Sequence, residues 1–273
     1  MESLNHMAID LADEAIDFAD ELRVGVVELD NGATVLDFGV EHRGGIEAGL
    51  LLAELQTAGL ATVGSRVASV AGAPRLHVDL STDHPGLALL CSQKAGWELS
   101  ADGFEGLGSG PARALVAEEP EFEVLSYADA FDLAVLSIEA DRLPTATLAE
   151  RVAERAGVDP GGLYLPTYRT ASVAGSVATA ARAAELAAFR LFELGYDPGN
   201  LVSVAGSAPV APVGDDEATA MARTNDALAY GSQVHLVVEE PFDRFDELPS
   251  SATDVYGEPF EAVFDEADWD FYD

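Results

Sequence analysis

One segment of the chain contains very few polar residues, and this composition constrains what the rest of the sequence can fold into. Residues 173–191 read VAGSVATAARAAELAAFRL, and alanine is the strongest helix former. On a helix, the face opposite Arg182 and Glu185 carries an apolar stripe of Val173, Val177, Ala180, Ala184, Ala187 and Leu191. A helix that is apolar nearly all round is normally buried. We therefore predict a central helix whose two charges are paired, lie in a cleft or take part in chemistry.

The spacing Arg-x-x-Glu occurs twice in this segment, as Arg182–Glu185 and as Arg190–Glu193. Ion pairs three residues apart on a helix are usually solvated surface features. The second pair precedes GYDPGN, close to the expected helix end, and fits that description. The first pair lies in mid-helix among small residues, where little bulk would separate it from a cleft. The spacing alone leaves open which pair has a function.

The charge balance argues against several kinds of partner. The chain has 49 acidic and 14 basic residues, a formal charge of -35, and Lys94 is its single lysine. Such a chain repels nucleic acid and anionic membranes, so we predict neither as a partner. The acidic residues are spread over the whole sequence. This favours a surface adapted to high salt over a cation-storing segment.

Cysteine usage and hydropathy narrow the class further. One cysteine excludes a disulfide framework and a cysteine-based zinc site. Cys91 lies in the apolar run LALLCS and is interpreted as a buried apolar side chain rather than a nucleophile. No run of 18 apolar residues exists and the first residues are acidic, so we predict a cytoplasmic protein.

The order of elements predicts a mixed α/β fold with two lobes and an active-site cleft between them. Residues 4–22 have helical periodicity, and residues 23–40 form a hairpin with Asn31-Gly32 as a two-residue turn. Residues 85–99 fit a helix or a strand, and their length favours a helix. We place the N-terminal lobe at 1–125 and the C-terminal lobe, with the alanine-rich helix, at 126–273. SVAGAP at 69–74 and SVAGSAP at 203–209 leave open a duplication or a chance similarity.

Two short motifs could carry chemistry but support it weakly. HVDLSTDH offers His77, Asp79, Asp83 and His84, yet their spacing matches no helical two-histidine pattern. We predict a strand there, with His77 and Asp79 facing solvent, and no metal. GLGSG at 106–110 lacks the residues of a nucleophile elbow or a phosphate loop. It remains either a weak anion site at a helix start, with Arg113 one turn in, or merely a tight turn.

Several longer motifs occur in a distinctive order. They are STDHPGLALLCSQKAGW, GLGSGPARAL, ASVAGSVATAARAAE, SVAGSAPVAPVGDD, AMARTNDALAYG and YGEPFEAVF. In this order they resemble the archaeal methenyltetrahydromethanopterin cyclohydrolases. The resemblance implies a cytoplasmic, two-lobed α/β enzyme, commonly a homotrimer. Such an enzyme adds water to the methenyl bridge of a reduced pterin carrier and gives the N5-formyl form, with no metal or redox cofactor.

The resemblance also implies roles for individual residues. The arginine and glutamate of the family's catalytic helix fall on Arg182 and Glu185. Glu185 would accept a proton from the attacking water while Arg182 holds it in place. The matching motifs further imply a set of substrate-binding residues: Lys94, Ser109, Arg113, Thr224, Asn225 and Asp226.

Three questions stay open from the sequence. The carrier is tetrahydromethanopterin or a folate. A non-catalytic pterin-binding or regulatory protein on the same fold is the alternative to an enzyme. Lys94 is either a compact ammonium that the site requires or the product of drift on a surface helix.

Overall fold

The computed structural model describes residues 3–266, which form a mixed α/β fold, as predicted. The ten α-helices of this part of the chain are α1 Leu4–Asp17, α2 Ala19–Leu22, α3 Ile46–Gln56, α4 Ala112–Val116, α5 Pro120–Leu125, α6 Ala146–Ala156, α7 Val173–Ala180, α8 Ala183–Glu193, α9 Glu217–Gly231 and α10 Phe260–Glu266. A π-helix spans Gly86–Gln93. Short 3-10 turns cover Pro160–Gly162, Pro198–Asn200, Phe245–Glu247 and Ser250–Ala252.

The strands form two sheets. They are β1 Gly25–Glu28, β2 Thr34–Asp37, β3 Thr62–Val70, β4 Ala73–Thr82, β5 Ala95–Ala101, β6 Phe104–Ser109, β7 Ala134–Val135, β8 Ser137–Glu139, β9 Leu163–Tyr168, β10 Leu201–Pro209 and β11 Gln233–Val238. The first sheet has the order β1-β2-β9-β8-β6-β5, with β7 also paired to β9. Its centre is parallel, since β2, β7 and β8 all run parallel to β9. The second sheet, β11-β10-β4-β3, is entirely antiparallel.

Helices α3 and α7 lie between the two sheets. Leu52 of α3 and Ala174 of α7 pack with Leu36 and Tyr168 of the first sheet. Ala53 and Val177, on the other sides of the same helices, belong to the core against the second sheet. Helix α6 covers the outer face of the first sheet through Leu148, Val152 and other small apolar residues. The alanine-rich segment is therefore buried at the centre of the molecule, as its composition predicts.

Most predicted elements are present, but several details differ from the prediction. The predicted apolar face of the first helix, Leu4, Met7, Leu11, Ala15, Phe18 and Leu22, is correct except at one end. Leu4 and Ala15 are fully buried and Met7, Leu11 and Leu22 pack against the core, but Phe18 is 52% exposed. The β1–β2 hairpin closes with a hydrogen bond from Leu29 N to Ala33 O, which leaves a three-residue loop instead of a two-residue turn. Gly32 ends this loop at φ 88°, the left-handed conformation that such loops require.

Residues 85–99 are helix and strand in succession. The π-helix takes the first half, and β5 begins at Ala95.

The glycines of 106–110 also differ from the prediction, because β6 continues through Ser109. Gly110 follows at φ 114° and donates its N–H to Ser92 O at 2.7 Å. This amide is thus used by the fold, and α4 has only five residues, so the anion-site interpretation of GLGSG is wrong.

Both sheets take strands from both sides of residue 125, so a boundary there does not separate them. SVAGAP spans the β3–β4 turn, whereas SVAGSAP lies inside β10. The two copies therefore occupy different structural positions. In residues 3–266, no helix combines the length and apolarity that crossing a membrane requires.

Candidate active site

The alanine-rich segment breaks into two helices at Ala181 and Arg182. Arg182 N donates to Thr179 O at 3.0 Å, a tighter turn than the α-helical pattern. Gln93 Nε2 donates to Ala181 O at 3.5 Å, so a side chain from the π-helix bonds to the backbone at this point. Arg182 becomes the N-cap of α8, and Glu185 lies in its first turn. That end of a helix favours a negative charge.

The two Arg-x-x-Glu pairs have different surroundings. Arg182 and Glu185 have side chains 13% and 2% exposed, and Arg182 Nη2 lies 2.9 Å from Glu185 Oε2. Arg190 and Glu193 are 45% and 47% exposed and lie 3.6 Å apart. The second pair is thus a solvated surface pair, and the first is a buried one. Only the first pair is shielded from water, and electrostatic interactions are stronger in such a low-dielectric environment.

Arg182 holds one oxygen of Glu185 and leaves the other free. Its Nε also donates to Oε2, at 3.0 Å. Among the described residues, Arg182 is the only hydrogen-bond partner of the Glu185 carboxylate, and both contacts are to Oε2. Burial lowers the pKa of Arg182, but Glu185, Tyr168 and Glu139 outweigh it and raise that pKa above its usual range. The guanidinium therefore stays charged while Glu185 Oε1 remains available to accept a proton.

Buried polar side chains lie near this pair, and of these the sequence predicted only Ser109. Gln56 Nε2 lies 3.4 Å from Ser109 Oγ and 3.3 Å from the Tyr168 hydroxyl. That hydroxyl donates to Glu139 Oε2 at 3.4 Å, and Thr170 Oγ1 donates to Oε1 of the same carboxylate. Burial, and then the charge of Glu139, raise the pKa of Tyr168, so its phenol stays protonated. For the other members of this cluster, their position as polar residues within apolar runs was the only sequence signal.

Lys94 lies beside the pair and not on a solvent-facing helix. Its Nζ is 2.6 Å from Oε1 of Glu121, a carboxylate only 1% exposed, and 4.7 Å from the ring centre of Phe189. Phe189 is one turn along α8 from Glu185. Lys94 itself is 14% exposed and follows the π-helix directly. The structure thus brings this predicted residue to the same region as Arg182.

Arg113 has a structural position that does not fit substrate binding. It is 0% exposed, and Nη1 donates to the backbone oxygens of Leu90, Ser92 and Lys94. Nε and Nη2 donate to Glu119. Burial lowers the pKa of Arg113 to about 10, which still leaves it charged at neutral pH. Its donors are occupied by the chain, so Arg113 holds the π-helix and is not a substrate contact.

The predicted residues on α9 do not act as one group. Thr224 is 3% exposed and donates to Met221 O at 3.0 Å. Asp226 Oδ1 accepts the backbone N–H of Phe260 and so ties α10 to α9. Asn225 lines a cavity of about 530 Å³ between α8, α9, β11 and residues 247–260. The residues of α8 that line this cavity, Ala183, Leu186, Ala187 and Arg190, lie on a different face of the helix from Glu185.

The histidine-rich motif lies elsewhere, on the second sheet. His77 is only 7% exposed, so the prediction that it faces solvent was wrong. Asp79 bonds to Arg66 Nε at 2.6 Å, and Asp83 accepts from Ser203 Oγ at 2.6 Å. Within residues 3–266, no group of three or more histidine, cysteine or carboxylate side chains is placed to hold a metal ion.

Cys91 is fully buried, with no disulfide partner. Burial raises the pKa of its thiol to about 12. Because the thiolate is the nucleophilic form, Cys91 is not a nucleophile at neutral pH.

A buried carboxylate with one oxygen held by an arginine and the other free is typical of general acid–base enzymes. On this mixed α/β scaffold, the arrangement indicates an enzyme that uses general acid–base chemistry. Within that class the chain belongs to the cyclohydrolase (MCH) family, whose model matches residues 3–273.

Curated relatives agree with this family. The chain is 61% identical to the methenyltetrahydromethanopterin cyclohydrolase of Halobacterium salinarum over 270 residues, 99% of this chain and 87% of the relative. It is 38% identical to the protein of the same name from Methanosphaerula palustris and 40% identical to that from Methanocorpusculum labreanum. Both matches cover 100% of this chain and 87% of the relative. The family predicted from the motifs is confirmed, and with it the prediction of an enzyme.

Proposed function

We propose that this chain hydrolyses the methenyl bridge of methenyltetrahydromethanopterin and gives the N5-formyl carrier, in a reversible reaction. The observation that carries the proposal is the buried Arg182–Glu185 pair, in which Glu185 Oε1 has no hydrogen-bond partner within residues 3–266. The relatives that are named for this activity supply the substrate class.

The chemistry of the substrate suits this pair. The methenyl group is an amidinium cation and is already electrophilic, so it needs a positioned water and a base. Glu185 takes a proton from the water as the C–O bond forms, and its negative charge complements the cation. The carbinolamine then collapses: its hydroxyl proton leaves to solvent as the C=O bond forms, the C–N bond to the departing ring nitrogen breaks, and the carboxyl group returns its proton to that nitrogen. Arg182 keeps the carboxylate in one orientation through both steps.

No metal or redox cofactor enters this scheme, because water addition changes no oxidation state and the carbon needs no Lewis acid. We therefore propose that the enzyme works without one. Turnover after exhaustive dialysis against a chelator should equal turnover before it. A loss that added metal restores would contradict this part of the proposal.

The central experiment follows the methenyl chromophore. Purified protein should remove the absorbance of methenyltetrahydromethanopterin, and the matched assay with methenyltetrahydrofolate identifies the preferred carrier. Binding of the carrier without loss of absorbance would favour the alternative, a non-catalytic pterin-binding or regulatory protein. Faster turnover of the folate would correct the substrate but leave the reaction type intact.

We also propose that the enzyme is a homotrimer and lies in the cytoplasm. The composition of the outer face of the second sheet supports self-association. Its four strands contain a single acidic residue, Asp79, in a chain with 49, and Asp79 is paired with Arg66. The centre of this face is a row of small residues, in which Ala205 pairs with Ser81 on β4. Copies of so acidic a chain repel each other least where acidic residues are missing.

Sedimentation in molar KCl tests this face. Ala205→Glu should dissociate the assembly, because it adds a charge at the centre of the acid-poor face. Val173→Glu, at an exposed position on α7, should leave it intact. A monomeric wild type, or an Ala205→Glu variant that stays assembled, would contradict the proposal. Cell fractionation tests the location.

A further inference from the structure

The hairpin of β3 and β4 is longer than the sheet that contains it. Strand β10 pairs with β4 only from His77 to Thr82. Strands β3 and β4 stay paired with each other as far as Val70 and Ala73. Residues 67–76 therefore form a two-stranded ribbon beyond the end of β10, and we call this ribbon the β3–β4 arm. An isolated two-stranded hairpin is marginally stable in water, so a ribbon of this kind is normally supported by packing against another surface.

The arm carries the core-facing side of the sheet out of the core. Val78 and Leu80 of β4 are 0% and 2% exposed and belong to the apolar core. Side chains alternate along a strand, so Leu76 lies on the same side, and so does Val67, its cross-strand partner. Val67 is 71% exposed, more than any other large apolar side chain in residues 3–266. A surface that is buried in the body of the sheet is therefore uncovered in the arm.

The tip of the arm is a defined turn with an apolar residue in a position that favours polar ones. Val70 pairs with Ala73, and the two residues between them have positive φ, 50° at Ala71 and 81° at Gly72. Two positive φ angles are typical of the type I′ turn, whose twist matches that of the flanking strands. The first position of such a turn prefers asparagine, aspartate or glycine. This very acidic chain has alanine there instead, so the tip lacks the polar residue expected of a solvated turn.

The arm also lacks the charges that protect exposed strands. Residues 55–78 contain no aspartate or glutamate, although the chain has 49 acidic residues. Exposed edge strands normally carry charged side chains that prevent pairing with other chains. The one charged residue of the arm is Arg75, which is exposed and whose side chain has no hydrogen-bond or ion-pair partner among residues 3–266. An apolar arm with a free cation complements the acidic surface of another copy of this chain.

We propose that the β3–β4 arm of one copy packs on a second copy of this chain and buries Val67 there. The inference rests on the self-association proposed above and adds a second contact to it. Ala205 lies on the outer side of the second sheet, whereas Val67 lies on the opposite, core-facing side. An arm that docks on a different surface of its neighbour forms a heterologous contact, and such contacts generate a ring when the rotation between copies closes. In a ring of three, each copy gives one arm and receives one.

Sedimentation velocity in molar KCl, over a range of protein concentrations, tests the arm with Val67→Glu. The concentration at which half of the protein is assembled should rise at least about tenfold, since a charge replaces a buried apolar side chain in each contact. Val67→Thr keeps the β-branched shape that suits a strand, so it should pair normally and weaken assembly in the same direction. Val26→Glu is the matched control, because Val26 is 44% exposed on β1, an edge strand of the first sheet. It should assemble like the wild type.

Limited digestion with trypsin probes the arm in the wild type. Trypsin cleaves after arginine, and Arg75 lies in the arm, while Arg142 lies between β8 and α6 with its side chain 60% exposed. Above the assembly concentration, cleavage after Arg75 should be slow because the arm is covered. Below that concentration the same bond should be cut several-fold faster, whereas the rate at Arg142 should not change.

Assembly of Val67→Glu at wild-type concentrations overturns the inference, as does an equal weakening in Val26→Glu. If Val67→Glu does not fold, the digestion of the wild type decides, and one rate of cleavage after Arg75 above and below the assembly concentration overturns the inference. A wild type that is monomeric at every concentration overturns it as well, but leaves the proposed hydrolysis untouched. An assembled wild type that hydrolyses neither carrier ends the proposed activity alone.

Discussion

At the scale of single residues, two chemically identical ion pairs on one helix differ in their surroundings. Glu185 is 2% exposed and Glu193 is 47% exposed, although each lies three residues after an arginine. A carboxylate in water is one proton acceptor among many, whereas a secluded one can be held against a single substrate atom. Burial, and not residue type, therefore distinguishes the proposed base from a surface pair.

Glu185→Gln keeps the shape of the side chain but cannot accept a proton. Its kcat should fall by about 10² to 10⁴, the usual contribution of a positioned general base, while folding and carrier binding survive. Glu193→Gln, the matched control on the same helix, should be nearly silent. Steady-state kinetics on the two variants tests this directly. Near-normal turnover in Glu185→Gln, or a large loss in Glu193→Gln, would show that the wrong pair was chosen.

Arg182→Ala should also lose activity, through a misplaced carboxylate and water. Because Arg182 and Glu185 act as one unit, the double variant should lose much less than the product of the two single losses. The measurement is kcat for the two single variants and the double variant. A kcat loss in the double variant equal to the product of the two single losses would mean that Arg182 and Glu185 act independently, contrary to the hydrogen bond between them.

At the scale of elements, the start of α8 depends on the close approach of β10. A Cβ atom at Gly206 would lie 2.7 Å from Ala184 N, which is closer than real Cβ contacts allow. Strand β10 therefore fixes where the helix begins again after the break, and with it the position of Glu185.

Gly206→Ala should lower both stability and kcat, since the new methyl group pushes the first turn of α8 away. Overpacking of this kind costs about 1 to 3 kcal/mol. Gly161→Ala, in the exposed 3-10 turn before β9, is the control because nothing lies within 4 Å of its added Cβ. Thermal melts and kcat should separate the two variants. Equal behaviour would mean that the contact with Ala184 is unimportant.

The loop between β2 and α3 is organised by one buried carboxylate. Asp37 is 0% exposed and accepts the backbone N–H groups of Gly39, Val40, Glu41 and His42. The His42 ring nitrogen lies 2.9 Å from the same carboxylate. Burial raises the pKa of Asp37, but the bonds from His42, Val40 and Gly39 outweigh it and hold that pKa below its usual value.

Asp37→Asn should destabilise the protein by about 2 kcal/mol or more, because the amide nitrogen faces donors. A lowered folded pKa means that Asp37 contributes full stability above its unfolded pKa, about 3.9. The contribution is lost as pH falls through the lower folded pKa. The stability difference from wild type should thus be constant near neutral pH and shrink in acid. Urea unfolding in molar KCl measures it, with the half-exposed Asp141→Asn as a control expected to change little.

At the scale of the whole molecule, the charge of -35 dominates. Acidic residues occur throughout the sequence, so the folded chain repels itself unless ions screen the surface. Salt shortens the Debye length, the distance over which charges interact, from about 30 Å at 0.01 M to about 3 Å at 1 M. The 61% sequence identity to a protein from Halobacterium salinarum agrees with a surface adapted to salt.

The melting temperature should rise steeply with KCl and fall in dilute buffer. The same series in an uncharged osmolyte should not reproduce the rise at low concentrations, because osmolytes do not screen charge. A melting temperature that is independent of KCl between dilute and molar concentrations would show that the acidic surface does not limit stability.

Local sequence patterns determined the elements and the family. The alanine-rich segment predicted its own burial, and the periodicity of residues 4–22 predicted the first helix. These features depend on neighbours within a few residues along the chain, which a sequence displays directly. Long ordered motifs such as AMARTNDALAYG likewise identified the family without any structure.

Tertiary structure alone decided the surroundings of the site. The helix breaks at Ala181, although no glycine or proline in the sequence marks that point. The side chain of Gln93, 88 positions earlier, bonds to the backbone there. Gln56 and Tyr168 meet across 112 residues, and the Arg113 donors turned out to be occupied by backbone oxygens. The Arg-x-x-Glu spacing by itself did not show which pair is buried; small neighbours and the family resemblance favoured the first pair, and its 2% exposed glutamate is a result of the tertiary structure. Contacts between distant residues depend on how the sheets and helices pack, and that packing leaves no periodic trace in the sequence around any one of them.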